Sequence, residues 1–517
     1  MSIGRTFAVA LSGISGTLVE IEADLANGLP GLALIGLPDR ALGEAADRVR
    51  SAVVNSGYKL PPRRLTVNLS PAALPKRGSG FDLGIALACL GAGGLIRSEA
   101  IEDVVHIGEL SLDGRLRPTA GVLPAVIAAR SFGRTRIMVP SANAAEAALV
   151  PGMTVIPVSS LREAATAHGA REVAPASWVA LPPLLSSTLM TVPIEEEVAM
   201  DLADVVGNDD AIEALIVAAA GGHHVMMTGP PGAGKTMLAM RLPGILPNLS
   251  DQAALDVASI RSLAGYCVGR ALPTRPPLEA PHHTTTTAAM IGGGSGMIRP
   301  GSAARASHGV LFLDEAPEFP AAVLDALRQP LESGLVSIHR ANAVATFPAS
   351  FQLVLAANPC PCGNYGANET DCVCPPAARR RYLGRLSGPL TDRIDIQLRM
   401  NRLSLAALRV NESARYSTAE AQQRVLAARA RTAERLHKTP WRTNAQVSGT
   451  YLRSPENKLP VSVTSHLDRA LERGGLTMRG YDRVLKLAWS IADLDGTERP
   501  GVDQIGRALY LRKGMTP

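Results

Sequence analysis

One octapeptide constrains this chain more than any other feature: Gly229-Pro-Pro-Gly-Ala-Gly-Lys235-Thr236. It fits G-x-x-x-x-G-K-[ST], follows a strand-like run, Val225–Thr228, and leads into the helix-forming Met237–Arg241. Glycines at this spacing let backbone N–H groups curl around a phosphate, and the helix N-terminus adds the positive end of its dipole. Lys235 is expected to reach the β- and γ-phosphates, and the Thr236 hydroxyl to ligate Mg²⁺. The expected nucleotide contacts are therefore Gly229, Pro230, Pro231, Gly232, Ala233, Gly234, Lys235, Thr236 and Met237. A strand, a phosphate loop and a helix in that order imply an α/β fold around ATP.

A second element agrees with the first. Val310-Leu-Phe-Leu-Asp314-Glu315 reads as a buried strand ending in two acids. Asp314 suits the Mg²⁺ shell, and Glu315 suits orienting and deprotonating the attacking water. A further strand, Phe351–Ala357, ends at Asn358, whose amide can hold the water or the γ-phosphate. Phosphoryl transfer also needs cations at the γ-phosphate, often supplied by a neighbouring subunit. Arg393, after a Gly-Pro turn, is the candidate finger, and Arg479, at the opening of a helix, is the candidate nucleotide sensor.

A chain of 517 residues has room for about three domains. Residues 1–170 read as α/β, with strands at Phe7–Leu11, Leu18–Ala23, Leu65–Leu69, Val104–Ile107 and Arg136–Val139, and helices at Leu42–Ser56 and Leu123–Ser131. Residues 171–200 read as a linker with four prolines between Ala174 and Pro193. The nucleotide-binding unit spans 201–402. Thr418–His437, Val461–Arg473 and Arg479–Leu494 have helical spacing, so 403–517 reads as all-α.

This order of elements resembles the AAA+ ATPases, in particular their magnesium-chelatase-like branch and, within it, the YifB/ComM family. The resemblance rests on Ala280-Pro-His-His-Thr284 with Gly292–Gly294, Asp314-Glu-Ala-Pro-Glu318 running to Leu331-Glu-Ser-Gly334, and Asn358-Pro-Cys-Pro-Cys362. Ser387–Asp395, Gly480-Tyr-Asp-Arg483 and Ile491–Leu494 belong to the same pattern, which covers essentially the whole chain. It implies an AAA+ core and a C-terminal helical lid. It also implies a homo-oligomeric, hexameric ring that hydrolyses ATP with Mg²⁺, with Arg393 of one subunit completing the site of the next. A helicase that drives branch migration of DNA is the activity the family suggests.

Between Lys235 and Asp314 lie 78 residues, long for one connection. The resemblance implies an inserted pore hairpin here, with His282-His283-Thr-Thr as its shoulder and Gly292–Gly294 as its tip. Adjacent histidines are expected to point apart, which argues against one shared metal ion. A second hairpin is expected between Val336–Arg340 and Ala345–Phe347, by resemblance also facing the pore, with Arg340 the cation at its turn.

Cys360-Pro-Cys362 and Cys372-Val-Cys374 place four thiols in one loop, enough for a tetrahedral structural Zn²⁺. A redox-active pair or free thiols are the alternatives. Arg379–Arg381 and Arg385 follow, either as a backbone-binding turn or as a solvated basic turn.

Residues 65–150 resemble the Lon-type (S5) peptidase domain through Pro71–Gly80, Ile107-Gly-Glu-Leu110 and Val139–Asn143. That chemistry needs a serine activated by a lysine. Gly80 stands at the nucleophile position with Ser79 one residue early, and Leu123 and Ala125 stand where the lysine belongs. The expectation is a Lon-like fold without peptidase chemistry.

Charge is uneven: 375–517 holds 22 Arg and 4 Lys against 13 Asp and Glu, a net +13, and the preceding residues carry −7. This suits a polyanion partner. With only 3% aromatics, phosphate-backbone contacts are expected over base stacking. The longest nearly uncharged run, Leu83–Ile96, is too short to span a bilayer, and the start lacks a cleavage site, so a cytoplasmic protein without a membrane partner is expected. Two other readings stay open: a chelatase-type motor subunit inserting Mg²⁺ into a porphyrin, although no porphyrin partner is expected for this chain, and a nucleotide-gated assembly platform.

Overall fold

A computed structural model describes residues 3–36, 39–71, 74, 76, 80–170, 200–294, 298–340, 343–365, 372–401 and 416–513. Residues 171–199 of the expected linker, Ser79 and the proposed boundary at 402/403 lie outside them.

The first part is a seven-stranded mixed sheet. Its strands are β1 (Gly4–Ser12), β2 (Ser15–Ala26), β3 (Gly31–Ile35), β4 (Arg64–Ser70), β5 (Val104–His106), β6 (Arg136–Pro140) and β7 (Thr154–Val158), in the order β3-β4-β2-β1-β5-β6-β7. β1 and β2 alternate buried with partly exposed residues, the signature of a sheet with one face on the core. Its helices include α1 (Asp39–Asn55), α2 (Asp82–Ala92) and α3 (Val122–Ser131). Every residue of α2 is buried, so it has no polar face and no amphipathic period to reveal it. Leu123 and Ala125 are buried apolar residues of α3, so no amine base stands there.

Past residue 200, α4 (Asp209–Gly221) leads into β8 (Val225–Thr228) and α5 (Lys235–Ile245), and α6 (Asp251–Ala264) follows. The second sheet adds β9 (Leu278–Glu279), and the small hairpin β10–β11 (Gly292–Gly293, Arg299–Pro300) comes next in the chain. Then come β12 (Val310–Leu313), a second hairpin β13–β14 (Leu335–Arg340, Ala343–Pro348), β15 (Gln352–Ala357) and β16 (Ile396–Arg399). The sheet runs β9-β12-β15-β8-β16 with every pair parallel. β12 and β15 are buried at every residue, as strands covered on both faces must be. Beyond β16 the longer elements are all helices: α7 (Thr418–Arg435), α8 (Val461–Glu472), α9 (Met478–Asp495) and α10 (Val502–Lys513). α7 and α9 share one apolar core with α4, β8 and β16. The expected mixed α/β plan with a helical C-terminal region is therefore what the chain forms. Among the described residues no helix is long and apolar enough to cross a membrane.

The second hairpin forms where the sequence places it, but it is not free. Ile260, Leu263, Ile298, Ala345 and Phe347 make a small buried cluster against which Leu11 and Ile14, at the β1–β2 turn, and Ile338 pack. Ser12 Oγ donates to Val344 O at 2.5 Å. Gly13 turns at φ +65°, and a Cβ there would lie 2.0 Å from Thr346 O, so the approach needs glycine. α3 packs on α6, where Gly121 N donates to Ser262 O at 3.1 Å.

Glu146 sits in this junction, accepting from Asn143 Nδ2 at 2.7 Å and from Ser262, and burial raises its carboxyl to about 7. Folding therefore favours the protonated acid. As pH rises from about 4.5, Glu146 ionises in the unfolded chain while the buried carboxyl does not, so the folded state loses stability up to about pH 7. Glu146→Gln should raise the thermal midpoint above pH 7 and flatten this difference across pH 4.5–7. An unchanged pH profile would contradict the assignment.

Candidate nucleotide site and cysteine cluster

The site is assembled by strand register. Thr228 of β8 lies opposite Ala357 of β15 and Arg399 of β16, while Leu313 of β12 lies opposite Leu355. The strands therefore end on one edge, and the residues that follow, Gly229, Asn358 and Asp314, emerge together. That carboxyl edge is where open parallel sheets bind ligands.

Gly232 and Gly234 turn the loop at φ +78° and +88°, and Gly234 precedes the first residue of α5. Lys235, largely buried, points its Nζ at Gly229 O (2.5 Å), Pro230 O (3.0 Å) and Asn358 Oδ1 (3.2 Å). Burial lowers its pKa, an effect opposed by Asp314 and Glu315. Thr236 Oγ1 donates to Asp314 Oδ2 at 2.7 Å, and Asp314 Oδ1 accepts from Glu315 N at 2.9 Å. A hydroxyl and a carboxylate side by side are the oxygen ligands a hard cation such as Mg²⁺ takes. Glu315 itself sits in the left-handed region at φ +49°, a conformation that costs a non-glycine residue on the order of 1 kcal/mol. Lys235, Thr236, Asp314, Glu315 and Asn358 are thus brought together.

Arg393 and Arg479 are set apart from this group. No hydrogen bond or ion pair joins either to the phosphate loop among the described residues. Arg393 pairs with Glu332 and donates to Pro389 O at 2.5 Å. Burial lowers its pKa, as does the nearby charge of Arg479, so the two arginines share one locality. Arg479 is exposed in the first turn of α9, which Thr477 caps.

A buried hub tethers this locality to the sheet, and sequence reasoning assigned it no role. Asp395, 2% exposed, accepts from Arg483 and lies 3.1 Å from His223 Nδ1. His223 Nε2 meets Ser490 Oγ at 2.8 Å, and Arg483 Nη1 also donates to Arg393 O at 3.1 Å. Burial alone would raise the Asp395 carboxyl, but His223 and Arg483 hold it far below the ordinary range. The helix α9 thereby grips the segment that carries Arg393.

The paired histidines differ from expectation. Their rings stack with centroids 4.0 Å apart and planes at 35°, so they do not point apart. His283 Nδ1 lies 3.5 Å from Glu315 Oε2, a pairing across 32 residues that no local motif reveals.

The cysteines converge. All four thiols lie within 4.8 Å of one another, with Cys360–Cys372 and Cys362–Cys372 at 3.8 Å and Cys360–Cys362 at 3.3 Å. A tetrahedron with Zn–S of about 2.3 Å has S···S edges of about 3.8 Å, so Cys360, Cys362, Cys372 and Cys374 fit that ion. Cys360 is buried beside the phosphate loop, and a Cβ on Gly363 would lie 2.7 Å from Pro231 Cδ. The basic stretch beyond is a helix, Pro376–Leu383, opened by proline and not a turn. Arg379 lies over the Tyr365 ring at 3.9 Å, and Arg385 is engaged by Glu318 and Pro317 O.

Three family models match the chain. Residues 201–408 match the family described as magnesium chelatase, subunit ChlI, residues 21–143 match its ChlI subunit family, and residues 415–512 match the ChlI C-terminal family. An uncharacterized protein of Mycobacterium tuberculosis is 49% identical over 99% of both chains. Competence protein ComM of Haemophilus influenzae is 39% identical over 99% of this chain and 98% of its own. Uncharacterized protein YifB of Escherichia coli is 38% identical over 96% and 94%. A shorter stretch, 35% of the chain, is 30% identical to a Lon protease of Salinispora arenicola over 23% of that protein.

Because Gly363 has φ +80° and no room for a Cβ, Gly363→Ala should press on Pro231 and weaken ATP binding several-fold in a fluorescent-nucleotide titration. Unchanged affinity would show that the cysteine loop does not brace the phosphate loop.

Proposed function

We propose an activity for this chain, which belongs to the YifB/ComM family of magnesium-chelatase-like AAA+ proteins: a Mg²⁺-dependent ATPase that works as a homo-oligomeric, hexameric ring on DNA in the cytoplasm and moves branched junctions. The observation that carries the ATPase reading is the meeting of Lys235, Thr236, Asp314, Glu315 and Asn358 on one sheet edge. In this reading the loop from Gly229 to Met237 cradles the triphosphate. Lys235 neutralises its β- and γ-oxygens, Thr236 and Asp314 hold Mg²⁺, and Glu315 takes the proton of the attacking water while Asn358 orients it. Arg393 and Arg479 act on the nucleotide of the adjacent subunit, consistent with their shared location away from their own loop.

The DNA reading draws on the relative named as a competence protein and on the +13 C-terminal third. Few aromatics make phosphate contacts its basis. A chain that engages about six phosphates should lose about 10³-fold in DNA affinity between 50 and 200 mM salt, and a flat salt dependence would count against it. The direct test is movement of a four-way junction with ATP. Wild type should exchange strands, while Lys235→Ala and Glu315→Gln should fall by at least 100-fold. A wild type that hydrolyses ATP yet never moves a junction would leave the assembly-platform reading.

We assign structural Zn²⁺ to the four cysteines on the fit of their thiol spacing. Purified chain should carry about one zinc per subunit, and Cys362→Ser with Cys372→Ser should lose it. Metal-free wild-type protein, in a preparation never exposed to chelator, would contradict the assignment.

A further inference from the structure

We propose that His283 is a positioning residue for Glu315, and so sets the hydrolysis step without touching the nucleotide. The inference rests on the ATPase reading above and adds a residue to its machinery. Glu315 has a half-exposed side chain, and among the described residues the group paired with its carboxylate is His283, at 3.5 Å. Its backbone is already fixed, because the left-handed φ of +49° and the bond from its N–H to Asp314 leave only the side-chain torsions free. A carboxylate on three free side-chain torsions rarely faces one water, and an imidazole held 3.5 Å from it narrows the rotamers to those that do.

The imidazole is itself held. His283 stacks on His282, and His282 Nδ1 is bonded to Thr284 Oγ1 at 2.9 Å. This short connector joins β9 of the central sheet to the Thr287–Ile291 helix and the β10–β11 hairpin. It also borders a cavity of about 620 Å³ lined by Glu279, Pro281, Thr285, Gly293, Arg299 and Arg305, so it is not packed solid on that side. A shift of the hairpin is therefore carried along the connector to His283 and changes the aim of Glu315. By this route whatever engages the hairpin would alter turnover while leaving ATP affinity alone.

The test is steady-state ATP hydrolysis by full-length wild type, His283→Ala and His283→Asn. An asparagine amide nitrogen sits close to where Nδ1 was and can donate to the same carboxylate. His283→Ala should lower kcat about 10-fold with KM for ATP within two-fold of wild type, and His283→Asn should recover most of the loss. A kcat for His283→Ala equal to wild type would overturn the proposal. So would kcat and KM failing together without rescue by Asn, which marks a merely structural role. A wild type that hydrolyses no ATP would sink the ATPase reading and this inference together, whereas a hydrolysing wild type with an indifferent His283 would sink the inference alone.

Discussion

The parallel register of β12, β15 and β8 is the constraint on which the rest depends. Because Thr228, Ala357 and Leu313 end on one edge, three residues far apart in sequence leave the sheet together. A slip of one residue in β15 would send Asn358 to the other face and strand Lys235, a partly buried cation whose side-chain oxygen partner is that amide. The register is secured by strands with no exposed residue, so the site inherits its precision from apolar packing.

Two further attachments tie that edge to the remainder of the chain. Asp395 is a buried carboxylate that pairs with Arg483 and lies against His223, and it anchors α9 to the segment bearing Arg393. Removing one member of such a group leaves an unpaired buried charge, on the order of 3–5 kcal/mol. On the other side, the cysteine loop begins two residues after Asn358 and lies against Pro231. The C-terminal helices, the segment bearing Arg393 and the cysteine cluster are thus each one contact away from the phosphate loop or its neighbouring strand.

Much of this was legible in the residues. Val225–Thr236 and Val310–Glu315 carry their chemistry in contiguous motifs, and the alternation in β1 and β2 marks a half-buried sheet. The helix α2 was not, because burial on every side erases the period that reveals a helix. The His283–Glu315 pairing, the Gly363–Pro231 contact and the docking of the β1–β2 turn on the second hairpin are tertiary, and no spacing encodes them. The stacked histidines show the same limit: local geometry argued for divergence, and the connector's path brought the rings together. The basic stretch after Cys374 was visible as charge, but its Arg385 is already engaged by Glu318, which only the fold reveals.

If each nucleotide site is completed by the neighbouring subunit, as proposed, then mixing two inactive subunits restores turnover. Glu315→Gln and Arg393→Ala proteins are each expected to hydrolyse ATP at background rate. Combined at equal concentration and allowed to exchange, they should regain up to about a quarter of wild-type turnover. The reason is that an intact Glu315 from one then faces an intact Arg393 from the other at a fraction of the interfaces. Turnover that stays at the sum of the two inactive proteins, with mixed assembly verified by co-purification of differently tagged chains, would contradict it.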